Sequence, residues 1–266
     1  MIQIQHLLLV LVAMAASIAC AGGADEEAAN PAYAWHDSVM AAMGGEDAWE
    51  HTRYLAFRWK AYRNDELISE REHHWDRYSG DYRLETTMRG SPEEAERSLI
   101  VLFNVNTRDG QAFVGGSPAE KALSDSLIER AYGMFINDSY WLLMPYKWRD
   151  PGVNLERLGP ESDEDGDWQV FHLSFEKVGL TPGDQYWVYV SADPPHLVGK
   201  WRYHLESMDE KGPFIYWRNW QRFGDIMLAT LREREGGDFR IEFTDIEASR
   251  RTPEGAFEPP AAVASD

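Results

Sequence analysis

The sequence predicts a mostly β, α+β fold: one curved antiparallel sheet of about ten or eleven strands, a half-barrel, with a short N-terminal helix and one inserted amphipathic helix. Three observations predict it. Apolar and polar residues alternate with period two in run after run from His51 onward. Turn residues such as Asn64-Asp65, Ser79-Gly80, Asp193-Pro194-Pro195 and Gly236-Gly237-Asp238 separate those runs. Helical periodicity is confined to a stretch near Trp35 and another after Ser117. Short strands joined by tight turns favour a meander over a parallel α/β sheet.

The chain opens with a signal for export, residues 1–19. Leu7 to Ala19 is apolar and uncharged, as long as a signal h-region and short for a permanent membrane helix, although Met1 to His6 has no Lys or Arg. Two processing routes compete. Ala19-Cys20-Ala21 is a small-x-small site for ordinary cleavage, which gives a soluble secreted protein. Ser17-Ile18-Ala19-Cys20 resembles a bacterial lipobox, with Ser17 where Leu is common, and would put a lipid anchor on Cys20. The second is the better expectation, because the chain's 1 cysteine stands where a thiol is lipidated after export. That lone cysteine forms no intramolecular disulfide, so burial of apolar surface has to hold the domain together.

Residues 20–34 follow as the lipidated cysteine and a flexible, acidic, Gly/Ala-rich tether. The first charged side chain is Asp25, so the net charge of −19 (45 Asp and Glu against 26 Lys and Arg) belongs to the exported part. Such a balance argues against nucleic acid and anionic lipid headgroups as primary partners, since both need Lys/Arg neutralisation.

The folded domain spans residues 35–251. Trp35, Val39 and Met43 recur at helical spacing and Gly44-Gly45 ends that helix. Leu55, Phe57, Trp59 and Ala61 then alternate with Tyr54, Arg58 and Lys60 in a half-buried strand. Tyr82, Leu84, Thr86 and Met88 repeat the pattern, and a further strand covers Ser98 to Asn104. Ser117-Pro118-Ala119-Glu120 combines an N-cap, a proline at N1 and a glutamate at N3, and Leu123, Leu127, Ala131 and Phe135 form the stripe of the helix that follows. Pro145 and Pro151-Gly152 stop it. The second half reads as strands throughout: Trp168 to Glu176, Gln185 to Ser191, Leu197 to Glu206, Phe214 to Phe223, Ile226 to Glu233 and Phe239 to Glu247, with a turn at Thr181-Pro182-Gly183-Asp184. Residues 252–266, rich in Pro, Ala and Glu, read as a disordered tail.

A sheet of that width must curl, because strand twist accumulates, and curling makes an inside. By alternation Phe57, Trp59, Leu84, Met88, Phe103, Phe171, Phe175, Trp201, Tyr203, Ile241 and Phe243 face it. If the long helix plugs the concavity they are core. If it covers the concavity only in part, they line a cavity for an apolar ligand, with Met88, Met134 and Met144 as adaptable contacts.

The order of elements resembles the LolA/LolB lipoprotein-carrier superfamily: a lipobox-like Cys20, a tether, a short helix, successive strands, an inserted helix and then a β meander. The runs WDRYSGDYRLE, FINDSYWLLMPYKWRDPG and VGLTPGDQYWVYV are similar to bacterial envelope proteins of the sorting-protein-like kind. The resemblance implies a half-open β-barrel lidded by helices, and acyl chains among its ligands. It carries over no binding residue one by one.

Constellations with other chemistry are weak. Alternation puts Glu72, His74 and Asp76 on one strand face, a mixed O/N set that a divalent metal would accept and that a solvated face explains equally. No G-x-S-x-G elbow, P-loop, dinucleotide fingerprint or H-E-x-x-H motif is present, so neither catalytic residue nor cofactor nor metal is assigned. Asn137-Asp138, before Tyr140-Trp141, reads as a helix end or the cap of a following turn, with a lid hinge as the functional alternative; with Ser139 it also makes an N-x-S sequon.

The expectation is therefore a lipid-anchored protein at the periplasmic face of the outer membrane, or free in the periplasm. It would bind an acyl chain or other apolar small molecule through Phe57, Trp59, Leu84, Met88, Phe103, Phe171, Phe175, Trp201, Tyr203 and Phe243. An alternative is a non-enzymatic envelope module docking a protein or glycan through exposed Trp187 and Trp217. A hydrolase, which needs close buried carboxylates with raised pKa values, is the third reading.

Overall fold

A computed structural model describes residues 30–88, 96–176 and 183–261. The signal segment, residues 20–29 with Cys20 and most of the tether, the turn residues Thr181-Pro182 and residues 262–266 of the tail lie outside them, whereas residues 31–34, read as tether, begin the first helix.

Two helices come first, α1 (Pro31–Ala42) and α2 (Glu46–His51). Asn30 caps α1 by accepting from the Ala32 amide at 2.9 Å, and Pro31 supplies a pre-set first turn. Gly44 and Gly45 end it with φ of 116° and 93°, and a Cβ on Gly44 would meet the Asp225 carbonyl oxygen at 2.4 Å.

Next come β1 (Tyr54–Arg63), β2 (Glu66–Asp76), β3 (Asp81–Met88), β4 (Arg97–Asn104), β5 (Gly110–Val114) and the two-residue β6 (Ser117–Pro118). The long helix α3 (Lys121–Leu143) and a 3₁₀ turn over Met144–Lys147 lead into the second half. It holds β7 (Val153–Asp163), β8 (Gly166–Phe175), β9 (Gln185–Ser191), β10 (Val198–His204), β11 (Ile215–Phe223), β12 (Ile226–Arg234) and β13 (Phe239–Ser249). All 13 strands form one curved, unclosed antiparallel sheet in the order β6-β5-β4-β3-β2-β1-β13-β12-β11-β10-β9-β8-β7.

That order dictates where α3 goes. The chain enters at the middle of the sheet, runs outward hairpin by hairpin to the edge at β6, and resumes at the opposite edge, β7. It then returns until β13 pairs with β1, Trp59 opposite Phe243. The connection between edges must cross a face, and α3 makes it. Its first turn lies on β5, where the Ala112 amide donates to Ser124 Oγ at 2.9 Å. Its last turn lies on β12, where Arg232 Nε donates to the Trp141 carbonyl at 2.9 Å.

The half-barrel with its helices is as the sequence implies, with three local corrections. Thirteen strands stand where ten or eleven were expected, because β5, β6 and β7 lack a clear alternation. As an edge strand β7 buries only Leu155, so its sequence, VNLERLGPESD, carries little period-two signal. Ser117-Pro118 is not the cap of α3: it pairs with Phe113 and Val114 as β6, an edge position that tolerates proline, and α3 starts after Glu120 without a side-chain cap. Asn137-Asp138 neither ends a helix nor hinges one, since α3 continues through both and stops at Leu143, ahead of Pro145.

The stretch read as a tail is held against the sheet as far as Glu258. Thr252 Oγ1 donates to Asp76 at 2.5 Å, Arg83 donates to the Glu258 carbonyl at 2.7 Å, and Phe257 meets the Tyr54 ring edge-on.

Two apolar clusters fill the concave side. The larger joins Leu55, Phe57, Trp59, Phe171, Trp201, Trp217, Ile241 and Phe243 to α1 and to Leu142–Trp148. The smaller joins Tyr82, Leu84, Leu99, Val101 and Phe103 to Leu127, Ile128, Ala131 and Phe135 on the first half of α3. On the convex side Lys200 is 1% exposed, bonded to Asp163 and Asp165 at 2.6 Å each and ringed by Trp168, Tyr189, Phe214 and Tyr216.

Candidate functional site

Where α3 crosses, its middle turn buries a charge. Asp138 is fully buried, with Arg71 Nε at 2.9 Å and His73 Nε2 at 3.2 Å from the same carboxylate oxygen. Asn137 Nδ2 donates to the other oxygen at 2.8 Å. His73 is also fully buried, stacked on Phe57, and its Nδ1 faces the Tyr82 hydroxyl. A neutral imidazole can accept at Nδ1 from Tyr82, which leaves Nε2–H beside the Asp138 oxygen; Arg71 Nε and His73 Nε2 approach that oxygen as close ion-pair contacts off hydrogen-bond geometry. Burial holds the His73 pKa below its ordinary value, against the opposing pull of Asp138, and pushes the Tyr82 pKa well up. Arg71 lies flat over Trp59, 4.0 Å from the ring centroid.

Empty space borders this cluster along α3. A cavity of about 670 Å³ lies where the β2–β3 ladder stops at Arg71 opposite Thr86. Leu84, Leu99, Leu127 and Met134 line it from within, and Arg58, Glu70, Glu72 and Glu85 at its mouth. Leu67 and Ile68 on its rim are among the large apolar side chains left exposed.

A second cleft, about 570 Å³, lies along the C-terminal half of α3. Trp75, Ile136, Tyr140, Trp141, Phe175, Tyr186, Tyr203 and Leu205 wall it, with Trp49 of α2 beside them. Tyr140 packs on Phe175, Tyr186 and Trp201, and Trp141 meets Trp201 edge-on at 5.0 Å, so the wall is one connected aromatic cluster. Gly133 borders the cleft from inside α3, a position where a glycine costs about 1 kcal/mol of helix propensity and leaves room. The polar groups of the lining are few: Asn137, Ser139, Asp184, and the ion pair of Lys147 with Asp150.

The residues read from the sequence as ligand-facing divide between solid core and open space. Phe57, Trp59, Phe103, Phe171, Trp201 and Phe243 face inward, as alternation requires, but are 6% exposed or less and line neither space. Leu84 and Met88 line the first cavity, Phe175 and Tyr203 the second. Tyr140, Trp141, Tyr186, Trp75 and Trp49 were not singled out as lining. The aromatic run FINDSYWLLMPYKWRDPG was the signal for the first two.

The other constellations resolve into internal contacts. Glu72 is bound by Arg58 and His74, and Asp76 by Arg53 and Thr252. Among the described residues no group of three His, Cys, Asp or Glu is placed to hold a metal. Among the described residues Asp76, Asp138 and Asp184 are the buried carboxylates; Asp76 is held below its usual pKa by hydrogen bonds from Thr252, Ser79, Arg53 and Tyr78, which outweigh desolvation. Trp217 is no exposed docking residue: it is 3% exposed, with Arg232 over its ring at 3.4 Å. Trp187 is half-buried between His172 and Lys211.

The fold and its cavities define a half-open β-sheet protein with a helix laid across the concavity. The sequence matches no protein-family model and no curated protein. Solved structures resemble it at low identity. A LolA superfamily protein from Nitrosomonas europaea is 12% identical, over 81% of this chain and 97% of that one, with a TM-score of 0.41. A putative outer membrane lipoprotein-sorting protein domain from Vibrio parahaemolyticus is 9% identical over 80% and 94%, with a TM-score of 0.42. A DUF1329 family protein from Desulfovibrio piger is 11% identical over 86% and 98%, with a TM-score of 0.41.

Proposed function

We propose that the protein is an exported, non-enzymatic binding protein that holds an acyl chain or similar apolar ligand in the aromatic cleft between α3 and the ends of β8, β9 and β10. The observation that carries this reading is the lining: a cleft of about 570 Å³ walled by Trp, Tyr, Phe, Ile and Leu with few polar groups. Ligand sites of roughly 300–1,000 Å³ with apolar walls and sparse polar contacts are the general pattern. The deep concavity beneath α3 is excluded from the reading because its side chains already pack against one another. Lipidation at Cys20 would hold this cleft near a membrane, and cleavage after it would leave a soluble carrier.

Native mass spectrometry of gently purified protein is the direct test, with displacement of a fluorescent fatty acid as its quantitative partner. Gly133→Leu fills the cleft from a helix position that favours leucine, so it should keep the fold and the melting temperature while binding falls at least about tenfold. Neither co-purified lipid nor displacement in the unaltered protein, or full binding in the filled variant, would refute the reading.

A further inference from the structure

Two donors in the wall of the aromatic cleft have no acceptor. Tyr140 Oη and Trp75 Nε1 are buried, and no described residue accepts a hydrogen bond from either. Trp201 Nε1, on the ring that stacks with Tyr140, is in the same position. An indole N–H can only donate, and a buried donor without an acceptor is uncommon in a native structure and costs stability. Both cleft rings are themselves half-buried, so their carbon edges face the open space while their polar atoms turn into the wall. For a ligand in the cleft to reach them, each side chain has to turn so that its donor comes to the cleft surface.

The charge around these donors selects among acceptors. Burial is the main cause of the raised Tyr140 pKa, and Tyr186, Asp150 and Asp184 push it the same way. Asp184 lies at the cleft itself, and the one lysine of the lining, Lys147, is engaged by Asp150. An incoming carboxylate or phosphate would meet carboxylates and find no free cation among the lining residues. A neutral carbonyl oxygen would take the hydrogen bonds without that repulsion.

Resting on the cleft as the binding site, we infer that its ligand is a neutral amphiphile whose apolar chain ends in an ester or amide carbonyl, accepted by the Tyr140 hydroxyl and the Trp75 indole. The carbonyl lies at the α3 wall and the chain runs along Phe175, Tyr186 and Tyr203. A free fatty acid binds less well because its charge is retained, and a plain hydrocarbon because the donors stay unpaired.

The test compares tetradecane, methyl dodecanoate and dodecanoate, matched in chain length, as competitors of one fluorescent probe at about pH 8, where the acid is ionised. The expected order is ester first, by about tenfold over the hydrocarbon, the gain of two restored buried hydrogen bonds at about threefold each, with the carboxylate weaker than the ester. Tyr140→Phe keeps the ring and removes one of the two donors, so the ester-to-hydrocarbon ratio measured within that variant should fall to about threefold, and Trp75→Phe should lower it by a similar factor. Equal binding of all three, or a carboxylate that binds best, overturns the neutral-carbonyl assignment and leaves the apolar cleft standing. An ester advantage that survives both Tyr140→Phe and Trp75→Phe also overturns it. No binding by any of the three overturns the cleft as well.

Discussion

Replacing Asp138 by alanine should be among the most damaging single changes in the domain. The carboxylate is fully buried, and its two cationic or proton-donating neighbours are nearly so: the side chains of Arg71 and His73 are 14% and 0% exposed. Removing one partner of a buried pair leaves the other charge desolvated, a loss of about 3–5 kcal/mol. His73 Nε2 would lose its neighbouring carboxylate in the same step and Asn137 Nδ2 its acceptor, so the upper part of that range is expected. The control is Asp125→Ala, which breaks the exposed Lys121–Asp125 pair one turn into the same helix and should cost about 0.5 kcal/mol or less. Urea unfolding of both variants beside the parent gives the comparison. Replacing the whole pair, Arg71→Met with Asp138→Leu, should recover much of the loss, because no buried guanidinium remains. A loss below about 1 kcal/mol for Asp138→Ala, the range of exposed pairs, would refute the view that this carboxylate is load-sharing inside the fold.

Three further outcomes follow from the same geometry. His36 is buried against Trp148, and desolvation lowers its pKa to about 4 from 6.5; Arg149 adds to the fall, while the Pro145 carbonyl contact and Asp37 oppose it. The unfolded chain then binds a proton that the folded one refuses, so stability is full above about pH 6.5 and falls by about 3 kcal/mol as the pH drops toward 4. Urea unfolding at about pH 7 and about pH 5 should show the decline, and His36→Gln should flatten it; an unchanged slope would assign the acid sensitivity elsewhere. Lys200→Met keeps the stem but leaves Asp163 and Asp165 facing each other; with those carboxylates about one-third exposed, the loss should be about 1–3 kcal/mol, and a thermal melt identical to the parent would contradict it. Gly199→Ala puts a Cβ 2.3 Å from the Trp168 ring, so about 1–3 kcal/mol of overpacking is expected, partly relieved by Trp168→Leu in the double variant.

What the sequence disclosed depends on how much each strand is buried on one face only. β1 alternates Leu55, Phe57, Trp59 and Ala61 inward with Arg58, Lys60 and Tyr62 outward, and the period is plain. β11 and β13 carry the same signal, while β8 and β9 are buried on both faces, at Trp168–Phe171 and Val188–Val190, and are legible by their aromatic and β-branched content; Asn64-Asp65, with φ of 48° and 64°, marks the β1–β2 hairpin by turn chemistry alone. β7 gave no signal because an edge strand has one neighbour and little to bury. The start of α3 misled for a different reason: Ser117-Pro118 has the chemistry of a cap, and tertiary pairing with β5 took it instead. For the site, alternation correctly named the residues that face inward but had no means of telling a filled interior from an open one. That distinction rests on where one helix lies across the sheet, which is set by contacts between residues such as Arg232 and Trp141, 91 positions apart.

Apolar contact alone would not fix that position, because burial is proportional to area and indifferent to register. The polar groups along α3 supply the direction. On one flank Arg71 and His73 of β2 hold Asp138 in the helix's middle. At the far end Arg232 of β12, fully buried with no carboxylate partner described, donates to the Trp141 carbonyl at 2.9 Å and reaches the Leu142 carbonyl at 3.5 Å. These are among the last carbonyls of α3, where the helix dipole favours a cation, which offsets part of the desolvation that drives the Arg232 pKa well below its ordinary value. The Arg232 bonds are directional and the Asp138 ion pair is short-ranged, so a helix that slid by one turn would leave a buried guanidinium and a buried carboxylate unpaired together. Pinned between β2 and β12, α3 covers the centre of the concavity and leaves the ends of β8, β9 and β10 uncovered by helix. The aromatic cleft is the space that this fixed placement leaves, so the groups that pin α3 also set where the cleft lies.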